Sequence, residues 1–124
     1  ENILPAMTLR DLTEEEMNEH RRPYKNPGED RRPTLTWPRE IPIEGYPSDV
    51  LRVIEENNAW LSESPLPKFF INSEPGAVLV GEHREMVRSW PNLTETTVRG
   101  LHYIHEDSPG DIGRALADWY RSLG

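Results

Sequence analysis

From Pro47 onward the apolar positions fall into regular patterns. Val50, Val53, Ile54, Asn57, Trp60 and Leu61 recur at helical spacing behind Ser48, a residue suited to cap a helix. Pro67 to Asn72 is a short apolar run that reads as a buried strand, closed by a turn at Glu74-Pro75-Gly76. A helix is predicted near Gly81 to Trp90, ended by Pro91. Thr94 to Val98 is rich in β-branched residues and reads as a second strand, after which Gly100 turns the chain into Leu101-His102-Tyr103. Ser108-Pro109-Gly110-Asp111 opens a last helix, with proline in the first position and an acidic reciprocal cap. Ile112, Ala115, Leu116, Trp119, Tyr120 and Leu123 line one face of it.

The first part of the chain reads differently. Ile3 and Met7 have the spacing of one helical face, which by itself implies packing. Thr13 followed by Glu16 is a capping box, predicting a short helix from Glu14 to Arg21 that stops before Pro23. Between Arg21 and Pro47 stand Pro23, Pro27, Pro33, Pro38, Pro42 and Pro47, and proline interrupts both helix and sheet hydrogen bonding. The expectation is a long irregular excursion. Trp37, Ile41 and Ile43 want burial, which argues against a linker; by themselves they imply packing, and apolar residues in a lid-like excursion can equally roof a pocket.

The alternation of helix and strand from residue 47 onward is that of an α/β fold with a parallel sheet. Two strands do not make such a sheet, because parallel sheets are covered on both faces and hold more strands. The remaining strands are therefore expected outside this sequence. Composition points the same way. The 124 residues are only 35% hydrophobic and include 12 prolines, yet four Trp, four Tyr and two Phe speak against disorder. The opening, Glu1-Asn2 followed by apolar residues, shows neither an initiator Met nor a basic leader and reads as a processed or split product.

With a formal net charge of −8, nucleic acid is a poor first guess for a partner. No apolar run approaches the roughly 18 to 20 residues of a membrane span. The absence of cysteine excludes disulfides, thiol nucleophiles and cysteine-based zinc sites. His102 lies in the turn after the second strand, and in open α/β sheets the carboxyl ends of strands are where ligands bind. A histidine there can act as a general base. On position alone, a loop histidine satisfying a backbone carbonyl is the more economical reading. His102, His105, Glu106 and Asp107 match no metalloprotease spacing, and the acidic pair reads as a capped, solvated turn.

Three blocks carry a family likeness: Arg31 to Ile43 (RRPTLTWPREIPI), Pro67 to Ala77 (PKFFINSEPGA) and Gly100 to Pro109 (GLHYIHEDSP). In this order they resemble haloalkane dehalogenases of the hexachlorocyclohexane-dehalogenase branch, with the coelenterazine luciferases of sea pansies as close relatives. The likeness runs over essentially the whole chain. The family has an α/β-hydrolase fold more than twice this length, so the chain is similar to its C-terminal part only. The resemblance implies that residues 1–46 are the second half of a helical cap. Residues 47–124 would be the last two parallel strands of the core with their helices.

It also implies hydrolysis of a carbon–halogen bond, with no metal and no organic cofactor. In the family an aspartate displaces halide from an sp³ carbon to form an alkyl ester. A histidine, oriented by a carboxylate, then activates water to hydrolyse that ester. The match assigns His102 as the base. It places the nucleophile, the halide donors and the orienting acid in an N-terminal part. One branch takes its acid from the loop holding Asn72, Ser73 and Glu74, which makes Glu74 an alternative acid. Ile3, Met7, Trp37, Pro38, Ile41, Ala77, Val78 and Tyr103 match positions that line the substrate pocket and tunnel. His105 stands where relatives have glutamine. A bacterial protein of the cytoplasm or periplasm is favoured, with the compartment itself open. A luciferase-like monooxygenase and a catalytically silent binding module are the alternatives on the same scaffold.

Overall fold

In the computed structural model, which describes residues 2–124, two parallel strands carry the best-buried part of the molecule. Strand β1 spans Lys68–Pro75 and β2 spans Leu93–Gly100, paired in register from Lys68 with Leu93 to Pro75 with Gly100. Both strands extend past the apolar runs that announce them, so Glu74 and Pro75 are the end of a strand. The turn begins at Gly76, with φ +71° and a close approach of 2.9 Å between an added Cβ and the Ser73 carbonyl oxygen. Only glycine takes that conformation without strain.

Side chains alternate between the two faces of a sheet, and each face has its helix. Helix α5, Gly81–Arg88, is tied to one face by Arg88, whose guanidinium donates to both carboxylate oxygens of Glu95 at 2.9 and 2.7 Å. Helix α7, Pro109–Ser122, packs on the other, where Trp119 stacks on Phe69 with ring centroids 5.2 Å apart. Phe70, Val87 and Val98 are buried here, together with Asn72. The sheet-and-helix order predicted for the second half is therefore present.

The described residues form two compact units. One comprises the segment up to Asp11 together with Glu63–Gly124; the other is Leu12–Ser62. The first holds the sheet, α5, α7 and two single-turn helices, α1 (Ile3–Ala6) and α6 (Ile104–Asp107). The second begins with α2, Glu14–Arg21, whose ends fall where the capping box and Pro23 place them. Thr13 Oγ1 accepts from the Glu16 N–H at 3.2 Å, and the Glu16 carboxylate accepts from the Thr13 N–H at 2.8 Å.

The proline-rich stretch is more regular than expected. After 3₁₀ turns at Arg22–Tyr24 and Glu29–Arg31, helix α3 runs from Arg32 to Arg39. Pro33 falls in its first turn, where a missing N–H costs nothing, and Pro38 comes only at its last turn. Helix α4, Ser48–Glu63, starts at Ser48 itself, immediately after Pro47. The apolar face read for it is largely open, with Val53, Ile54 and Trp60 exposed. At the start of α7, Ser108 makes no cap: its hydroxyl donates to the Arg99 carbonyl at 2.7 Å. The expected acidic partner, Asp111, instead pairs with Arg114. No helix among the described residues is long and apolar enough to cross a membrane.

Candidate functional site

Parallel strands deliver the loops that follow them to the same edge of the sheet. Here β1 leads into residues 76–80 and β2 into residues 101–103, and the Gly76 N–H donates to the Gly100 carbonyl at 3.0 Å. Arg84 of α5 closes the first loop, donating to the carbonyls of Ser73 and Leu79. Ala77 and Val78 lie exposed in it. Glu74 is exposed one residue before the strand ends, level with Arg99. No hydrogen bond or ion pair among the described residues joins its carboxylate to His102.

The second loop carries His102, with its imidazole exposed and its backbone fixed. The N–H groups of His102 and Tyr103 both donate to the Met7 carbonyl, each at 3.2 Å. The Tyr103 ring meets the imidazole edge-on, with centroids 4.8 Å apart, and the His105 ring edge-on at 6.0 Å. Three residues singled out from the sequence, Met7, His102 and Tyr103, are therefore brought together. Ile3 stands exposed on α1, one turn before Met7.

Asp107 is the residue that sequence reasoning missed. Rather than a solvated turn residue, it is the acceptor at which two distant segments meet. Its Oδ1 accepts from the N–H groups of Leu9, at 2.7 Å, and Arg10, at 3.3 Å; its Oδ2 accepts from Leu101 at 3.1 Å. Arg10 adds a second bridge, donating from Nε to the Glu106 carbonyl at 2.6 Å and pairing with the Glu106 carboxylate at 3.2 Å. Gly100 is required beside it, because a Cβ there would stand 2.9 Å from Ile104 Cγ2 and 3.3 Å from Asp107 Oδ2. No cluster of three or more metal-ligating side chains is found among the described residues.

The remaining candidates lie in the second unit. Trp37 and Pro38 belong to α3, and the N–H of Ile41 just beyond it donates to the Pro38 carbonyl. Trp37 is 71% exposed and Ile41 47%.

Comparison with known proteins places this geometry among relatives. No protein-family model matches the chain. It is 54% identical over 123 residues to a haloalkane dehalogenase of Sphingobium indicum, covering 99% of this chain and 42% of that protein. A coelenterazine h 2-monooxygenase of Renilla reniformis is 41% identical over 122 residues, covering 94% of this chain and 38% of that protein. The crystal structure of a haloalkane dehalogenase from Bradyrhizobium elkani superposes with a TM-score of 0.90 at 37% identity, over 99% of this chain and 43% of that one. The chain thus spans less than half the length of the proteins it matches, and corresponds to their C-terminal part.

Proposed function

We propose that this chain, which belongs to the haloalkane dehalogenase family and represents its C-terminal part, supplies the general base and part of the substrate pocket of a dehalogenase. The observation that carries the reading is His102: an exposed imidazole on a loop at the carboxyl ends of parallel strands, with its backbone anchored to Met7. An N-terminal part completes the enzyme with the nucleophilic aspartate, the halide donors and the acid that orients the base. On this reading residues 1–46 are the second half of the cap and residues 47–124 the end of the core.

The reaction proceeds in two steps. A carboxylate oxygen of the nucleophile attacks the halogen-bearing carbon, forming a C–O bond as the halide leaves with the electron pair. His102 then takes a proton from water while the resulting hydroxide attacks the ester carbonyl. The ester C–O bond breaks, the alcohol departs with a proton, and the carboxylate is regenerated. By the family resemblance, Ile3, Met7, Ala77, Val78 and Tyr103 of the first unit, and separately Trp37, Pro38 and Ile41 of the second, are substrate-contacting positions, and apolar side chains there suit a halogenated hydrocarbon and leave the attacking carboxylate poorly hydrated. Glu74 is the reserve candidate for the acid.

The test uses an assembled enzyme, residues 1–124 joined to the N-terminal part of the Sphingobium indicum relative. With 1,2-dibromoethane, His102→Ala should release about one bromide per site and then stall as the alkyl ester. Loss of a general base costs about 10² to 10⁴ in rate, so steady turnover within a few-fold of the unmodified enzyme would refute the assignment. Light from coelenterazine, without bromide release, would favour the monooxygenase reading that the Renilla relative suggests.

A further inference from the structure

We infer that Asp107 is a positioning residue for the base: a carboxylate that holds the His102 loop against the Met7–Arg10 segment and so fixes where the imidazole stands during ester hydrolysis. The inference rests on His102 being the base of the proposed reaction. A carboxylate accepts through four lone-pair directions, and hydrogen bonds to an ionised acceptor are the strong ones. Asp107 uses them on Leu9 and Arg10 from one side and on Leu101, the residue before the base, from the other. The Met7 carbonyl takes the next two amides of the same loop, those of His102 and Tyr103. Three consecutive N–H groups, Leu101 to Tyr103, are therefore pinned to acceptors outside their own loop.

Among the described residues the His102 ring meets that of Tyr103, the next residue of the same loop, so its position follows its backbone. The amide of asparagine at position 107 keeps one acceptor oxygen and loses the other together with the charge. It can hold the Leu9 and Arg10 side or the Leu101 side, but not both. A displacement of about 1 Å at a reacting group can cost on the order of 10²-fold in rate. The alkylation step does not use the base, whereas ester hydrolysis does. A merely structural role would lower stability and slow both steps; a positioning role slows one.

In the assembled enzyme, D107N should keep the bromide burst within a few-fold of the unmodified enzyme. It should slow the second phase by about 10- to 100-fold, with the alkylated protein accumulating as a mass increase in intact mass spectrometry. Hydrogen exchange at the Leu9 and Leu101 amides should quicken in the same sample. R10A, which removes the side-chain bridge to Glu106 and leaves the carboxylate in place, should shift the same two readouts in the same direction by less, and serves if D107N does not fold. Turnover of D107N within two-fold of an active unmodified enzyme, or equal slowing of both phases, overturns the inference. If the unmodified assembled enzyme releases no bromide, the functional reading falls on its own. The clamp is then still decided by exchange: equal protection of Leu9 and Leu101 in both proteins overturns it.

Discussion

The side-chain amide of Asn72 donates to the hydroxyl of Thr97 at 3.1 Å, between residues that are partners in register across the two strands. Asn72 is 1% exposed, and its Oδ1 is a buried acceptor without a partner among the described residues. The Thr97 hydroxyl therefore satisfies the half of this amide that is satisfied at all.

Thr97→Val takes away the acceptor and leaves the amide donor buried and unpaired, which should cost about 1 to 3 kcal/mol. Adding Asn72→Leu removes the stranded group, and the double variant should be more stable than Thr97→Val alone. Urea unfolding of the assembled enzyme measures both. A double variant less stable than the single one would show that Asn72 holds the sheet through something other than this bond.

Gly100→Ala inserts a methyl group against Ile104 and Asp107 at the point where β2 becomes the His102 loop. Overpacking of this kind costs about 1 to 3 kcal/mol. Because the nearest backbone atom is Ile104 Cα at 3.3 Å, relief must come from moving α6. The expected outcome is a lowered unfolding midpoint together with slowed ester hydrolysis. Unchanged values of both would mean that the loop yields freely.

The carboxyl of Glu95 is held below its ordinary range, first by the hydrogen bonds from Arg88 and then by the charges of Arg88 and Arg84. A carboxylate favoured in the fold adds stability above the unfolded value, about 4.3, and that stability is lost as pH falls through the lower folded value. Glu95→Gln should therefore be destabilising at pH 7, and the difference from the unmodified protein should shrink toward pH 3. One molar salt should also reduce it, since the pair is partly open to solvent. Unfolding midpoints at the two pH values check this, and a difference that grows on acidification would contradict it.

Much of the fold was legible because its signals are local. The α2 boundaries follow from Thr13, Glu16 and Pro23, and β1, β2 and the long helices from apolar runs and their punctuation. Helix α3 was not legible, because a count of prolines ignores where they fall in a turn. Ser108 looked like a cap by its place in the sequence, but its hydroxyl bonds to Arg99, beyond the reach of a local rule. Of the site, His102 could be placed from the strand–turn pattern and the family-like blocks. The role of Asp107 could not, since two of its three donors lie 97 and 98 residues away.

That separation bears on how the molecule assembles. The His102 and Tyr103 amides find the Met7 carbonyl only after the first ten residues and the last strand have met, and non-local contacts of this kind are expected to form after those closer in sequence. Closing a loop costs little more as it lengthens, about 0.6 kcal/mol per doubling. The bonds from Leu9 and Arg10 to Asp107 therefore close a stretch of 97 to 98 residues for little more than a far shorter one would cost.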